Sequence, residues 1–223
     1  MDVGTFNYER MQTLLDGSEG GESLLKAVEA MRKAANDGHA AAANTFGTML
    51  HHGRGVHQDL AAARAYYHQA AETGLPAARF NLGFMLVRGL GGEKDEARAR
   101  TLFLLAAEDG ELDAITHLGA MMMTGSGGPR DFDAALGWWA RGVDLGDSRC
   151  AFNLGIAHAG GHAGDVNFVA AWYWFKQAER LGNDGAAAEL ARLDIVMSDD
   201  DQAAVIACNS RQDRPVVSAS HVA

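Results

Sequence analysis

Residues 81–110 read NLGFMLVRGLGGEKDEARARTLFLLAAEDG, and residues 46–74 read FGTMLHHGRGVHQDLAAARAYYHQAAETG. Set in register, the two stretches share Gly47 with Gly83, Gly53 with Gly89, Asp59 with Asp95 and Gly74 with Gly110, each pair 36 residues apart. The phase holds outward in both directions. Gly38, Gly74, Gly110, Gly146 and Gly182 keep it, as do Gly119 with Gly155, and Gly125 with Gly161. Asp131 continues the Asp series, and Asn167 takes the fourth place. No insertion breaks the register across four units. A fixed period of this length is the mark of a helical repeat array.

Each unit reads as two helices. In the second, helix A is expected from about Pro76 to Arg88, with Ala78, Leu82, Gly83 and Leu86 on its core face. Pro76 suits a first helical turn, where its missing N–H is not needed. Gly89 and Gly91 end the helix. Asp95 stands where an N-cap should stand. Helix B then runs to about Asp109, with Ala99, Leu102, Phe103, Ala106 and Ala107 inward. The other A helices carry Ala42, Phe46 and Leu50, then Ala114, Leu118 and Met122, then Cys150, Leu154 and His158. The other B helices carry Ala63, Tyr66, Tyr67, Ala70 and Ala71, then Ala135, Trp138 and Trp139, then Ala171, Trp174, Phe175 and Ala178. Small residues let helices approach, and the aromatic pair supplies large buried area.

The ends continue the pattern in part. Residues 22–37 match helix B, with Ala27, Ala30, Met31, Ala34 and Ala35 in phase; residues 184–194 match helix A, with Ala186, Leu190 and Ala191. The expected organisation is an N-terminal segment 1–21, poorly ordered or a short helix, then a solenoid over 22–197. Within it, a half repeat 22–38 precedes full repeats 39–74, 75–110, 111–146 and 147–182, and a half repeat 183–197 follows. A capping helix at 198–210, begun by Ser198, and a disordered tail 211–223 complete the reading.

The 223 residues carry 29 acidic and 19 basic side chains, a formal charge of −10. Such a surface repels phosphates and anionic lipid heads, so neither nucleic acid nor a membrane is an expected partner. No apolar run approaches the roughly 20 residues needed to span a bilayer. Residues 1–20 lack a basic region followed by an apolar core, so no secretory signal is read and the cytoplasm is the default compartment. Cys150 and Cys208 match no metal spacing, and Cys150 falls where sister repeats hold Ala.

The two quoted stretches closely resemble the Sel-one-like repeat (SLR) family, a relative of the tetratricopeptide-like helical repeats. The resemblance covers about residues 22–195 and rests on many positions at once: Ala, Leu-Gly, two loop glycines, Asp, Ala, an aromatic pair, Ala-Ala and a closing Gly. The fourth unit departs most, with Ala163 for the second loop Gly, Asn167 for Asp and a glycine-rich stretch at 160–164, so its inter-helix connection is expected to be looser. The resemblance implies an all-α, right-handed superhelix of helix pairs with a concave face. It also implies a non-catalytic adaptor, often bacterial, that binds protein or peptide. A cysteine-rich secreted branch of the family is associated with penicillin-like compounds. This chain has no paired cysteines within a repeat, so a β-lactamase-like hydrolase is a poor match. A dedicated toxin-immunity or inhibitor protein is a further alternative.

In such solenoids helix A lines the concave groove. The groove is therefore expected to display Asn44, Thr48 and His52, then Phe80, Asn81, Phe84 and Arg88. Thr116, His117, Ala120 and Thr124 follow, then Arg149, Phe152, Asn153 and Ile156. Bulky Phe80, Phe84, Phe152 and Ile156 off the core face suggest an apolar patch, and aromatics beside Arg and Asn make a suitable hot spot. The competing reading is that these aromatics pack against a neighbouring helix A. Asn81 and Asn153 precede the Leu-Gly step, where related repeats place a ligand-clamping Asn.

No catalytic, metal or cofactor constellation is read. The Gly125–Gly128 cluster is repeat punctuation, since no strand precedes it and no Lys follows. Gly146-Asp147-Ser148 lies at a repeat junction opening a helix A, where Ser148 occupies the place of Pro76. Adjacent His51 and His52 should point to different helix faces, and glycines between His158 and His162 spoil a chelating turn. Asp199–Asp201 opens a helix, where acids favour the dipole. No nucleophile, base and orienter assemble.

Overall fold

A computed structural model describes residues 21–162 and 164–211. Expectations for residues 1–20, Ala163 and 212–223, and for the Cys208 side chain, lie outside the described residues. Eleven helices are described, and no strand occurs among the described residues. They are α1 Gly21–Asn36, α2 Ala40–His52, α3 Leu60–Glu72, α4 Pro76–Arg88, α5 Glu96–Glu108, α6 Leu112–Thr124, α7 Phe132–Asp144, α8 Ser148–Ala159, α9 Phe168–Arg180, α10 Ala186–Val196 and α11 Asp199–Arg211. None is long and apolar enough to cross a membrane.

The expected caps form. Asp59, Asp95 and Asp131 each accept from the backbone N–H three residues on, at 2.9, 3.0 and 2.9 Å. Asn167 does the same at 2.8 Å, so the fourth unit caps its helix B as firmly as the others. Ser198 and Asp201 form a reciprocal capping box at the start of α11. Gly89 closes α4 at φ 65°. Two residues on, Gly91 has φ 69°, and a Cβ there would strike the Leu60 carbonyl, so only glycine fits.

The chain divides into two compact units, the first ending at Glu111 and the second beginning at Leu112. In the first, α1 to α5 pack each against the next. Its core holds Met31, Phe46, Tyr67, Leu82, Met85, Leu86 and Phe103, all nearly inaccessible to solvent. The B helices are also stitched together on their polar side: Tyr66 Oη donates to Asn36 at 2.9 Å, Gln69 Nε2 to the Ala35 carbonyl at 2.6 Å, and Arg98 meets His68 at 2.6 Å. In the second unit, α6 to α10 pack in succession and α11 returns onto α9. Val205 of α11 joins Phe175, Leu190, Leu193 and Met197 in one apolar cluster.

Burial corrects the core list at several places. Ala42 and Met122 are half-buried while their neighbours Ala43 and Met121 fill the interior. Only one of each aromatic pair is fully buried in the first three full repeats: Tyr67, Phe103 and Trp139, with Tyr66, Leu102 and Trp138 at the edge. Ala30 and Ala191, on the two terminal helices of the pattern, are exposed.

The Leu-Gly step acquires a physical reason. A Cβ on Gly47 would lie 2.9 Å from the Tyr67 ring, on Gly83 2.7 Å from Phe103, and on Gly155 2.5 Å from Phe175. On Gly119 it would enter the Trp139 indole. The glycine leaves the seat into which the helix B ring sinks, which brings the two helices of each unit together.

Candidate functional site

The first unit brings most of its expected groove residues together. Asn81 Nδ2 donates to Asn44 Oδ1 at 2.9 Å, joining α4 to α2. Phe84 lies 6.3 Å from Phe80 and 6.4 Å from His51, and the Arg88 guanidinium lies 5.5 Å over the Phe84 ring. Phe80 in turn packs 5.7 Å from Phe103. Both phenylalanines are half-buried. Thr48 is committed, accepting from Tyr67 Oη at 3.0 Å and donating to the Asn44 carbonyl. Arg88 and His52 are exposed.

His51 belongs to this face in addition to the residues expected from the sequence. Its signal was available, because residues 44, 48 and 51 fall at i, i+4 and i+7, one helical stripe. Its ring also stacks on His52 at 4.6 Å with a 12° interplanar angle, so the adjacent pair does not splay to opposite faces. Burial, and then the neighbouring His52, lower the His51 pKa.

The second unit treats its expected residues differently. Arg149 is held by Asp147 and Asp113: Nη1 lies 2.5 Å from Asp113, Nη2 2.7 Å and Nε 3.1 Å from Asp147. Asp147 also accepts from the Arg149 backbone at 2.8 Å as the N-cap of α8, and from Thr116 Oγ1 at 3.2 Å. Burial alone would raise the Asp147 pKa, but the hydrogen bonds and charge of Arg149 outweigh it and hold the carboxyl below its usual range. Arg149 therefore anchors α8 to α6. Phe152 packs 5.4 Å from Phe175, and its ring lies against Gly185 at the start of α10. His117 Nδ1 contacts the Asp113 carbonyl at 2.8 Å. Asn153 is half-buried, while Ala120, Thr124 and Ile156 are exposed. Thr124 is occupied locally with Ala120, Met121 and Ser126.

Two buried groups bear on chemistry. Cys150 is fully buried, and burial, partly offset by the Thr116 hydroxyl, pushes its thiol up to about 11, so it stays protonated and inert. His158 is buried in the place of Leu50 and Leu86, its Nε2 without a hydrogen-bond partner. Burial lowers its pKa from 6.5. The folded state thus resists a proton that the unfolded chain accepts, so stability falls as pH drops below 6.5. His51 adds the same sign, and Asp147 adds a further loss in the carboxylate range. Replacing His158 by leucine should raise the urea midpoint at pH 7 by the equivalent of about 1 kcal/mol and flatten its decline between pH 7 and pH 5.5. Among the described residues no group of three His, Cys, Asp or Glu could hold a metal.

Four helix pairs in phase, glycine-seated aromatics and a partly uncovered A-helix stripe define an all-α solenoid of helix-turn-helix repeats. The Sel1 repeat profile matches residues 40–75, 76–111, 112–147 and 148–183. The chain belongs to the Sel1 repeat family. Among solved structures it is similar to c5321, a protective antigen present in uropathogenic Escherichia coli strains displaying an SLR fold, with 27% identity and a TM-score of 0.77. That likeness covers 94% of this chain but 46% of the antigen. It is also similar to a Sel1 repeat protein from Oxalobacter formigenes, with 25% identity and a TM-score of 0.70, over 84% of this chain and 79% of that one. No curated protein matches the sequence significantly.

Proposed function

We propose that the protein is a non-catalytic scaffold that binds a peptide or protein segment along its A helices, chiefly through the first unit. The observation that carries this reading is the half-buried Phe80–Phe84 pair, with Arg88 over one ring and His51 beside it. Aromatic rings, an arginine and side-chain amides on one face have the composition of an interface hot spot. Family membership supports an interaction role in general. In the second unit, Ile156 and Asn153 are the residues left for a partner, since Arg149 and Phe152 serve the fold.

A photo-crosslinking residue in place of exposed His52 tests the reading. It should capture a partner from the native cell, and Phe84→Ser should abolish the adduct while circular dichroism is unchanged. An adduct that survives Phe84→Ser contradicts the proposal. Phe152→Ser is a poorer probe, because that ring also packs on Phe175.

A further inference from the structure

Leu50, Leu86, Met122 and His158 stand 36 residues apart near the ends of the four A helices. The carbonyl of each accepts from the backbone N–H of the cap that follows, Asp59, Asp95, Asp131 or Asn167, at 3.0 Å. This residue therefore pins the start of helix B to the end of helix A. In three repeats its side chain is apolar. In the fourth it is an imidazole, 6% exposed, whose Nε2 has no hydrogen-bond partner.

The surroundings offer a proton on that ring no counter-charge. The acids at this end of the second unit are Asp131, Asp133 and Asp165, all exposed, and Asp131 is spent on capping α7. Farther along the packed helices stand Arg141 and Asp144 on α7, and Tyr173, Lys176, Glu179 and Arg180 on α9. His162 in the connection is exposed. Among the described residues none of these groups pairs with the His158 ring. The cap is the other departure: the sister repeats place a carboxylate there, whereas Asn167 is neutral. The one connection held by a titratable residue thus also lacks the cap charge that would favour its protonated form.

We propose that the α8–α9 connection is an acid-sensitive joint: a proton on His158 drives its ring out to water, frays the last turn of α8 and releases the start of α9. The opening stays local, because both helices are held independently elsewhere. Arg149 ties the first turn of α8 through Asp147 and Asp113. Phe175, past the middle of α9, sits on Gly155 and clusters with Leu190, Leu193 and Val205. The joint gives the second unit a response to mild acid that the connection held by Leu86 lacks.

Hydrogen exchange of the full chain, read by mass spectrometry at pH 7.0 and pH 5.5 and corrected for intrinsic rates, tests this. In the opened joint His158 regains the ordinary imidazole value of 6.5. Protection over residues 160–171 should therefore fall roughly five- to tenfold at the lower pH. Residues 88–99, the connection held by Leu86, should keep theirs. His158→Leu and His158→Met, which copy the sister repeats, should each abolish the fall. If residues 160–171 keep their protection at pH 5.5, or the fall survives both substitutions, His158 does not set the joint and the proposal fails. An equal fall over all of α8 to α11 would mean that acid unfolds the second unit as a whole, which overturns a local joint as well.

Discussion

Gly83→Ala destabilises the protein by about 1–3 kcal/mol, although alanine is the better helix former by roughly 1 kcal/mol. The new Cβ would lie 2.7, 3.0 and 3.2 Å from three atoms of the Phe103 ring, which is fully buried and has nowhere to retreat. Overpacking therefore wins over propensity. Gly137 on α7 is the control, because a Cβ there meets nothing within 4 Å. Gly137→Ala should stabilise by about 0.5–1 kcal/mol. Urea midpoints of the two variants should move in opposite directions. Phe103→Leu removes part of the obstructing ring, so Gly83→Ala should cost much less in that background, a coupling that a double-mutant cycle measures directly.

The second large effect lies where the repeat departs from itself. At the end of helix B and the start of the next helix A, Ala70 is followed by Ala78, and Ala178 by Ala186. Of the two pairs in between, Ala106 and Ala114 keep the pattern, and Gly142 and Cys150 break it. A Cβ on Gly142 would strike Cys150 Sγ and come within 3.1 Å of Ile115. The thiol thus fills the space vacated by one methyl group. Gly142→Ala alone should cost about 2 kcal/mol by overpacking, and Cys150→Ala alone about 1 kcal/mol by leaving a void. The double variant restores the Ala–Ala pairing of the sister repeats and should return to within about 0.5 kcal/mol of the parent. Additive losses would show that the two side chains do not share one space.

These two pairs also mark what could be read from the residues. Helix positions were legible because punctuation repeats: Gly53 and Gly89, with the Asp59, Asp95 and Asp131 caps, recur at one spacing and place helix ends within two residues. The Gly142–Cys150 exchange is visible as two departures at one repeat junction, but only the folded chain brings them into contact. The candidate site was less legible. Register identifies which stripe of helix A faces away from its partner; it does not say how each side chain is spent. Arg149 looked free and is tied to Asp113 and Asp147, since a carboxylate two residues earlier can cap the helix and bind the guanidinium together. Phe152 packs on Phe175 just as its register counterpart Phe80 packs on Phe103, which bears out the packing of the competing reading for both rings, with helix B rather than a neighbouring helix A as the partner. Asn81, read as a ligand clamp, spends one amide hydrogen on Asn44. Side-chain reach, not periodicity, decides each of these.

The central claim is that the first unit's A helices form the binding face. Chemical-shift mapping of the isotope-labelled protein against the partner captured by the crosslinker at position 52 tests it most directly. The account predicts saturable shifts concentrated on Asn44, His51, His52, Asn81, Phe84 and Arg88. Shifts concentrated instead on the outer residues of α3 and α5, with α2 and α4 unmoved, would contradict it.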